Sequence, residues 1–288
     1  MTLASAPQET YISTNGIRLH AMMQGEHGPL VVLLHGFPEC WYSWRHYLPF
    51  LAEHGYRAVA PDLRGYNLSD KPKGIINYQT PILARDVYEL IHALGEERAI
   101  VVGHDWGGAI AWNVAMYYPQ AVEKLAVCNL PHPAKFAEGI RTWRQLRKSW
   151  YIFTFQLPWL PEYLMQRDLY GTLERVMRGA AARKDAISDD DLRVYAEALG
   201  QPGALTATLN YYRAVVRWGW RVPSQPINAP TQIIWGEEDI VLGKELTYGT
   251  EKYVPDLRIH YIPNCGHWVQ QEAQQEVQEV LLEFLGRS

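Results

Sequence analysis

The 288-residue chain carries 27 Lys and Arg against 31 Asp and Glu, a net charge of −4 with both signs interspersed, which leaves no basic footprint for nucleic acid. Its 48% of apolar residues can fill the core of one large domain or of a domain with a sizeable insertion. Cys40, Cys128 and Cys265 are odd in number, far apart and without metal-ligand spacing, so reduced, buried thiols in a cytoplasmic protein are expected.

Met1 to Thr10 has no basic region and no apolar run, so no signal peptide is visible. Glu9–Ser13 and Ile17–Met23 are short alternating runs joined at Asn15-Gly16, a hairpin signal. Leu30–Leu34 is continuously apolar, as in a strand buried on both faces, and ends in His35-Gly36-Phe37-Pro38-Glu39. A helix over Trp41–His54 closes at Gly55, and a strand over Tyr56–Ala60 follows. A second helix, Ile82–Leu94, closes at Gly95. Arg98–Val102 reads as a strand, Gly107–Tyr117 as a helix and Leu125–Cys128 as a strand. This alternation predicts a parallel, doubly wound sheet. The rhythm breaks after Pro131-His132-Pro133. From Ala134 to about Val222 only helix-like segments rich in Trp, Tyr, Arg and Leu appear. The run Pro230–Trp235, a helix around Lys244–Tyr253, strand Leu257–Ile262 and helix Val269–Leu285 then resume it. The expected division is a core of residues 1–132 and 223–288, with a helical cap, 133–222, inserted after the sixth strand. Such an insertion lies over the strand ends where α/β sheets bind ligands. Within it, Arg141, Arg144, Arg147 and Lys148 read as a solvated helix face. Trp150–Leu160 is apolar but too short to span a membrane, and reads as pocket lining.

The run Ile100-Val101-Val102-Gly103-His104-Asp105-Trp106-Gly107-Gly108 ends an apolar strand in Gly-x-Asp-x-Gly, with a helix directly behind it. That is the layout of a nucleophile elbow, in which a sharp turn exposes one side chain and glycines avoid a clash of Cβ atoms. The exposed residue is Asp105, so the attacking group is a carboxylate oxygen. A carboxylate nucleophile needs a base to activate water, an acid to orient the base and donors for an oxyanion. In the chain order nucleophile, acid, histidine, Asp239 and His267 both fall just past strand ends. Glu237 and Glu238 stand close enough to compete for the acid's place, and Asn129, after the sixth strand, carries no charge. His260 lies within a strand, and His104 is expected to point away from Asp105. The backbone N–H groups of Phe37 and Trp106 are the expected oxyanion donors, with Phe37-Pro38 as a cis bond.

Gly36-Phe37-Pro38-Glu39, Arg64-Gly65-Tyr66 with Ser69-Asp70, Gly103-His104-Asp105-Trp106-Gly107-Gly108 and Asn264-Cys265-Gly266-His267-Trp268 resemble the motifs of the soluble epoxide hydrolases of the α/β-hydrolase superfamily. The match covers nearly the whole chain. Asn67 departs from it, standing where the family usually has Gly, and Asn tolerates positive φ. The resemblance implies the α/β-hydrolase fold: a mostly parallel eight-stranded sheet, helices on both faces and a helical cap. It implies two cap tyrosines that hydrogen-bond the epoxide oxygen, Tyr151 and Tyr212. Tyr211 is the rival to Tyr212, since on a helix the two point about 100° apart. Asp105 would open the ring to a hydroxyalkyl ester, and His267 with Asp239 would activate the water that hydrolyses it. No metal or organic cofactor is required. The partners are a small hydrophobic epoxide and water, in a monomer or a homodimer. Phe37, Trp106, Phe153, Phe155, Trp159, Trp218 and Trp268 are the expected apolar lining. A haloalkane dehalogenase would share Asp105 and Trp106, but Phe37 stands where such enzymes place a halide-binding Asn. A fluoroacetate dehalogenase would need arginines beside Asp105, where Gly107, Gly108, Ala109 and Ile110 stand. A non-catalytic hydrolase-fold binding protein is the reading from a different class.

Overall fold

The computed structural model of the chain describes residues 6–219 and 226–286. The expected end of the insertion near Val222 and the start of the Met1–Thr10 stretch lie outside the described residues. The strands are β1 Gln8–Thr14, β2 Ile17–Gln24, β3 Leu30–Leu34, β4 Arg57–Pro61, β5 Ala99–His104, β6 Val122–Cys128, β7 Thr231–Gly236 and β8 Leu257–Ile262. They form one sheet in the order β1-β2-β4-β3-β5-β6-β7-β8. β2 pairs antiparallel with β1 and β4, and every other pair is parallel. Asn15 and Gly16 both take positive φ, 43° and 74°, as the hairpin turn requires.

The helices of the sheet layer are α1 Tyr47–Glu53, α2 Thr80–Ala93 and α3 Trp106–Tyr117. Between β6 and β7 the described chain forms α4 Pro133–Gly139, α5 Trp143–Lys148, α6 Trp150–Thr154, α7 Leu160–Arg167, α8 Leu169–Ala180, α9 Asp189–Leu199 and α10 Ala204–Trp218, with no strand. After β8 come α11 Val269–Glu272 and α12 Gln274–Leu285. β5 is buried at every position because helices cover both faces. Its Ile100 and Val102 pack with Leu48, Leu51 and Leu281 of α1 and α12. Its Ala99 and Val101 pack with Leu83, Val87 and Ile110 of α2 and α3. Each such fully buried Val or Ile contributes about 1.5–3 kcal/mol, so the strand that feeds the elbow is held firmly.

The chain runs from β3 to β4 on one side and returns to β5 on the other. That reversal opens a crevice past the carboxyl ends of β3 and β5, the usual ligand site of an open α/β sheet. The helical insert leaves the sheet at this edge.

Three expected helices are broken. Trp41–His54 is a 3-10 turn, Trp41–Trp44, followed by α1. Pro49 has no N–H to give Arg45, so the helix restarts with proline in its first turn. Lys244–Tyr253 is two 3-10 turns divided at Gly249, whose φ is 82°. Val269–Leu285 breaks at Ala273, which leaves the helical region at φ −126° and ψ 45°. All three cysteines are free and buried. Among the described residues no helix is long and apolar enough to cross a membrane.

Candidate active site

Asp105 caps α3 at φ 48° and ψ −120°, a conformation that costs of order 1–3 kcal/mol and persists only where the surroundings enforce it. The surroundings are tight. A Cβ on Gly107 would lie 2.1 Å from the Leu34 carbonyl oxygen. A Cβ on Gly36 would lie 2.5 Å from Asp105 Cβ, so glycine there lets the β3 loop close onto the carboxylate. The Phe37 N–H then donates to Asp105 Oδ1 at 2.9 Å. The Phe37-Pro38 bond is cis, as expected. Trp106 follows directly as the first residue of α3.

His267 lies in the loop after β8. Its Nε2 is 3.7 Å from Asp105 Oδ2, and its Nδ1 is 2.8 Å from Asp239 Oδ2. Asp239 is held in turn. Its Oδ1 accepts the Val241 and Leu242 N–H groups at 2.7 and 2.9 Å, and its Oδ2 accepts Asn129 Nδ2 at 2.7 Å. Asn129 thus braces the acid. Glu237 instead pairs with Lys244 at 2.6 Å.

The loop carrying His267 is fastened from two sides. Glu272 accepts the N–H groups of Gly266 and Trp268 at 2.9 and 3.1 Å, and those of Ala182 and Arg183, past the end of α8, at 2.8 and 2.9 Å. His104 faces away from Asp105 as expected, and its Nε2 donates to the His267 carbonyl at 2.9 Å. Its Nδ1 lies 2.9 Å from Glu39 Oε2. Glu39 also accepts N–H groups from Gly36, Gln270 and Gln271. A carboxyl group collecting that many donors is held as a carboxylate, and against its burial these partners keep Glu39 below its ordinary value.

These charges set the ionisation of the site. Burial alone would push the Asp105 carboxyl up, but the His267 ring, the His104 charge and the Phe37 N–H hold it below its ordinary value. Asp239 is likewise held low, with burial opposed by His267, the Leu242 N–H and Asn129. Burial would lower His267, but the Asp239 and Asp105 carboxylates raise it to about 10. An anionic Asp105 beside an imidazolium is therefore the resting arrangement at neutral pH.

Two cavities meet at Asp105. The larger, about 490 Å³, is lined by Phe37, Phe155, Trp268 and His267. The smaller, about 40 Å³, is lined by Trp106, Leu130 and Val215. Asp105, Tyr151 and Tyr212 line both. The two tyrosine rings meet edge to face with centroids 5.8 Å apart. Burial and the Asp105 charge push both phenols well up, so they remain protonated donors. Tyr211 lines neither cavity. Its hydroxyl donates to the Arg64 carbonyl at 2.6 Å.

Three expected lining residues lie elsewhere. Phe153 is 52% exposed and Trp159 70% exposed, and neither lines a cavity with Asp105. Tyr151 and Phe155, four residues apart, share the inward face of α6, and Phe153 is about 200° round from Tyr151. Trp159 sits in the left-handed turn before α7, at φ 53°. Trp218, about 120° from Tyr212 round α10, lines a separate surface cavity with Gln79 and Pro81.

Arg213, next to Tyr212, ties the two tyrosine segments together. It forms a two-pronged pair with Glu162 at 2.7 and 3.0 Å and donates to the Phe155 and Leu157 carbonyls at 2.9 and 3.0 Å. Arg213→Ala would leave Glu162 buried and unpaired. The expected loss is about 3–5 kcal/mol of stability, read by denaturant unfolding.

Sequence reasoning missed Glu39, Glu272, Arg213 and Glu162, and it saw Asn129 only as a residue without charge. Glu39 lies inside a quoted motif and Arg213 directly follows Tyr212 in the segment that carries the resemblance, whereas Glu272 and Glu162 carry no local signal.

Comparison with known proteins identifies the fold family. A family model described as alpha/beta hydrolase fold matches residues 29–274. The chain is 42% identical to AB hydrolase superfamily protein YfhM of Bacillus subtilis, over 96% of each chain. It is 39% identical to epoxide hydrolase 3 of Xenopus tropicalis, over 99% of this chain and 80% of that one. The crystal structure of Bacillus megaterium epoxide hydrolase in complex with an inhibitor is similar at a TM-score of 0.90 and 35% identity, covering 96% of this chain and 100% of that one. The chain belongs to the epoxide hydrolase family of the α/β-hydrolase superfamily.

Proposed function

We propose that the protein converts epoxides to vicinal diols through an ester on Asp105, with residues 133–222 as the cap. The observation that carries this reading is one cavity system lined by a carboxylate and two protonated phenols, with His267 behind the carboxylate. Asp105 Oδ2 attacks a ring carbon as the C–O bond breaks. Tyr151 and Tyr212 hydrogen-bond the leaving oxygen; one phenol gives it a proton, making it a hydroxyl, and that phenolate regains a proton from the His267 imidazolium. Oδ1 stays on the Phe37 N–H and becomes the ester carbonyl. With Asp105 now a neutral ester, one of the carboxylates that raise His267 is gone, and the ring can give up its proton. Neutral His267, oriented by Asp239, removes a proton from water. The hydroxide adds to Asp105 Cγ, and the oxyanion rests on the Phe37 and Trp106 N–H groups. Collapse breaks the bond from Cγ to the diol oxygen, which takes the proton of the added hydroxyl, releasing the diol and restoring the carboxylate beside protonated His267.

Diol formation from styrene oxide or stilbene oxide tests the reaction. Halide release from a haloalkane without diol formation, or ligand-induced thermal shift without chemistry, would overturn it. A single turnover in heavy-oxygen water should label Asp105 before the diol. Label appearing first in the diol would exclude the ester.

The His267 shift predicts a pH dependence. Its folded-state value lies above the ordinary 6.5, at about 10. Its stabilising effect is therefore complete below its unfolded value and is lost as pH rises through about 10. The melting temperature should fall further between pH 7 and 10 in the wild type than in His267→Gln, as thermal unfolding at each pH would read.

A further inference from the structure

The cavities on the two sides of Asp105 differ in size by about an order of magnitude, about 40 against 490 Å³. We infer that the site takes epoxides whose bulk lies on one ring carbon, the other carbon being unsubstituted or carrying only a short group. This rests on the ring-opening function proposed above.

The epoxide ring is fixed where both cavities meet, between the Asp105 carboxylate and the Tyr151 and Tyr212 phenols. Substituents on its two carbons must leave that point in different directions. The large arm runs past His267 to a mouth rimmed by Trp150, Val176 and Ile240, which are 64%, 42% and 59% exposed. A long apolar chain has room there and a way out. The small arm is walled by Leu130, Phe136, Ile152, Val215 and Leu242. At about 40 Å³ against 490 Å³ it has far less room than the large arm. A longer group crowds these walls, and a single misplaced methylene in an apolar pocket is worth about 10–200-fold in kcat/KM. Val215 is the thin part of the wall. It also lines the surface cavity that holds Trp218, so shortening it widens the small arm toward that cavity.

The test uses two isomers of one formula, 1,2-epoxydodecane and cis-6,7-epoxydodecane, with the diols separated by chromatography. The first puts all its carbon in one arm, and the second needs five carbons in each. The wild type should favour the terminal isomer by at least about tenfold in kcat/KM. Val215→Ala, and further Val215→Gly, should lower that ratio at least threefold. The ratio is taken within each variant, so a general loss of activity cancels. A thermal melt confirms that each variant folds. Equal kcat/KM for the two isomers in the wild type would overturn the inference alone. A ratio unmoved in both folded variants would do the same. No diol from either isomer would overturn the proposed function and this inference with it.

Discussion

Replacing His267 by Gln is expected to leave a protein that is alkylated once by an epoxide and then stalls. In the proposed mechanism the attacking oxygen and the ring-opening donors belong to Asp105, Tyr151 and Tyr212, none of which the substitution removes. What is lost is the base 3.7 Å from Asp105 Oδ2. Steady-state turnover should fall by about 10²–10⁴-fold, the usual worth of a general base. Intact-protein mass spectrometry should then show a mass gain of one epoxide, mapped to the peptide that carries Asp105. An adduct on another residue, or none while the wild type forms diol, would remove the ester from the mechanism.

The second large effect is expected from Tyr151→Phe with Tyr212→Phe. Opening the ring places charge on the epoxide oxygen, and in the proposed mechanism both phenols, which line the cavities with Asp105, donate to it. Removing one preorganised donor typically costs about 10²–10³-fold. The double variant should lose at least about 10³-fold in the alkylation rate. Hydrolysis of a preformed ester, which the proposed mechanism assigns to His267, should proceed at close to the wild-type rate. Tryptophan fluorescence in stopped flow separates the two steps, since Trp106 lies edge-on to Tyr212 with centroids 5.0 Å apart. Tyr211→Phe is the control. It removes a hydrogen bond to the Arg64 carbonyl and should cost about 1 kcal/mol of stability with little change in alkylation. Equal loss in the two halves of the reaction would place the tyrosines in packing alone.

Much of the fold was legible because its signals are local. The β-branched runs, the Asn15-Gly16 hairpin and the alternation of strand and helix each lie within a few residues. Most strand bounds in the sheet fell within three residues of their observed places. The broken helices were less legible, because Pro49, Gly249 and Ala273 interrupt runs whose apolar spacing continues across the break. The candidate site divides in the same way. The elbow is a steric device of neighbouring residues, and Asp239 and His267 stand just past strand ends that alternation had already marked.

Sequence alone therefore determined the sheet, the helical insertion and the order Asp105, Asp239, His267, since these follow from periodicity and turn chemistry along the chain. Only the tertiary structure decided which side of each insert helix faces the cavity. Tyr211 and Tyr212 are both buried and adjacent, and contacts from the Arg64 loop turn one toward the core and the other toward Asp105. Phe153 and Phe155 have the same chemistry, yet the pitch of α6 sends one outward and the other inward. The braces of the site belong to the same class. Asn129 meets Asp239 across 110 residues of chain, His104 meets His267 across 163, and Arg213 meets Glu162 across 51. A side chain's direction depends on which distant surface it packs against, and that surface exists only once the chain has folded.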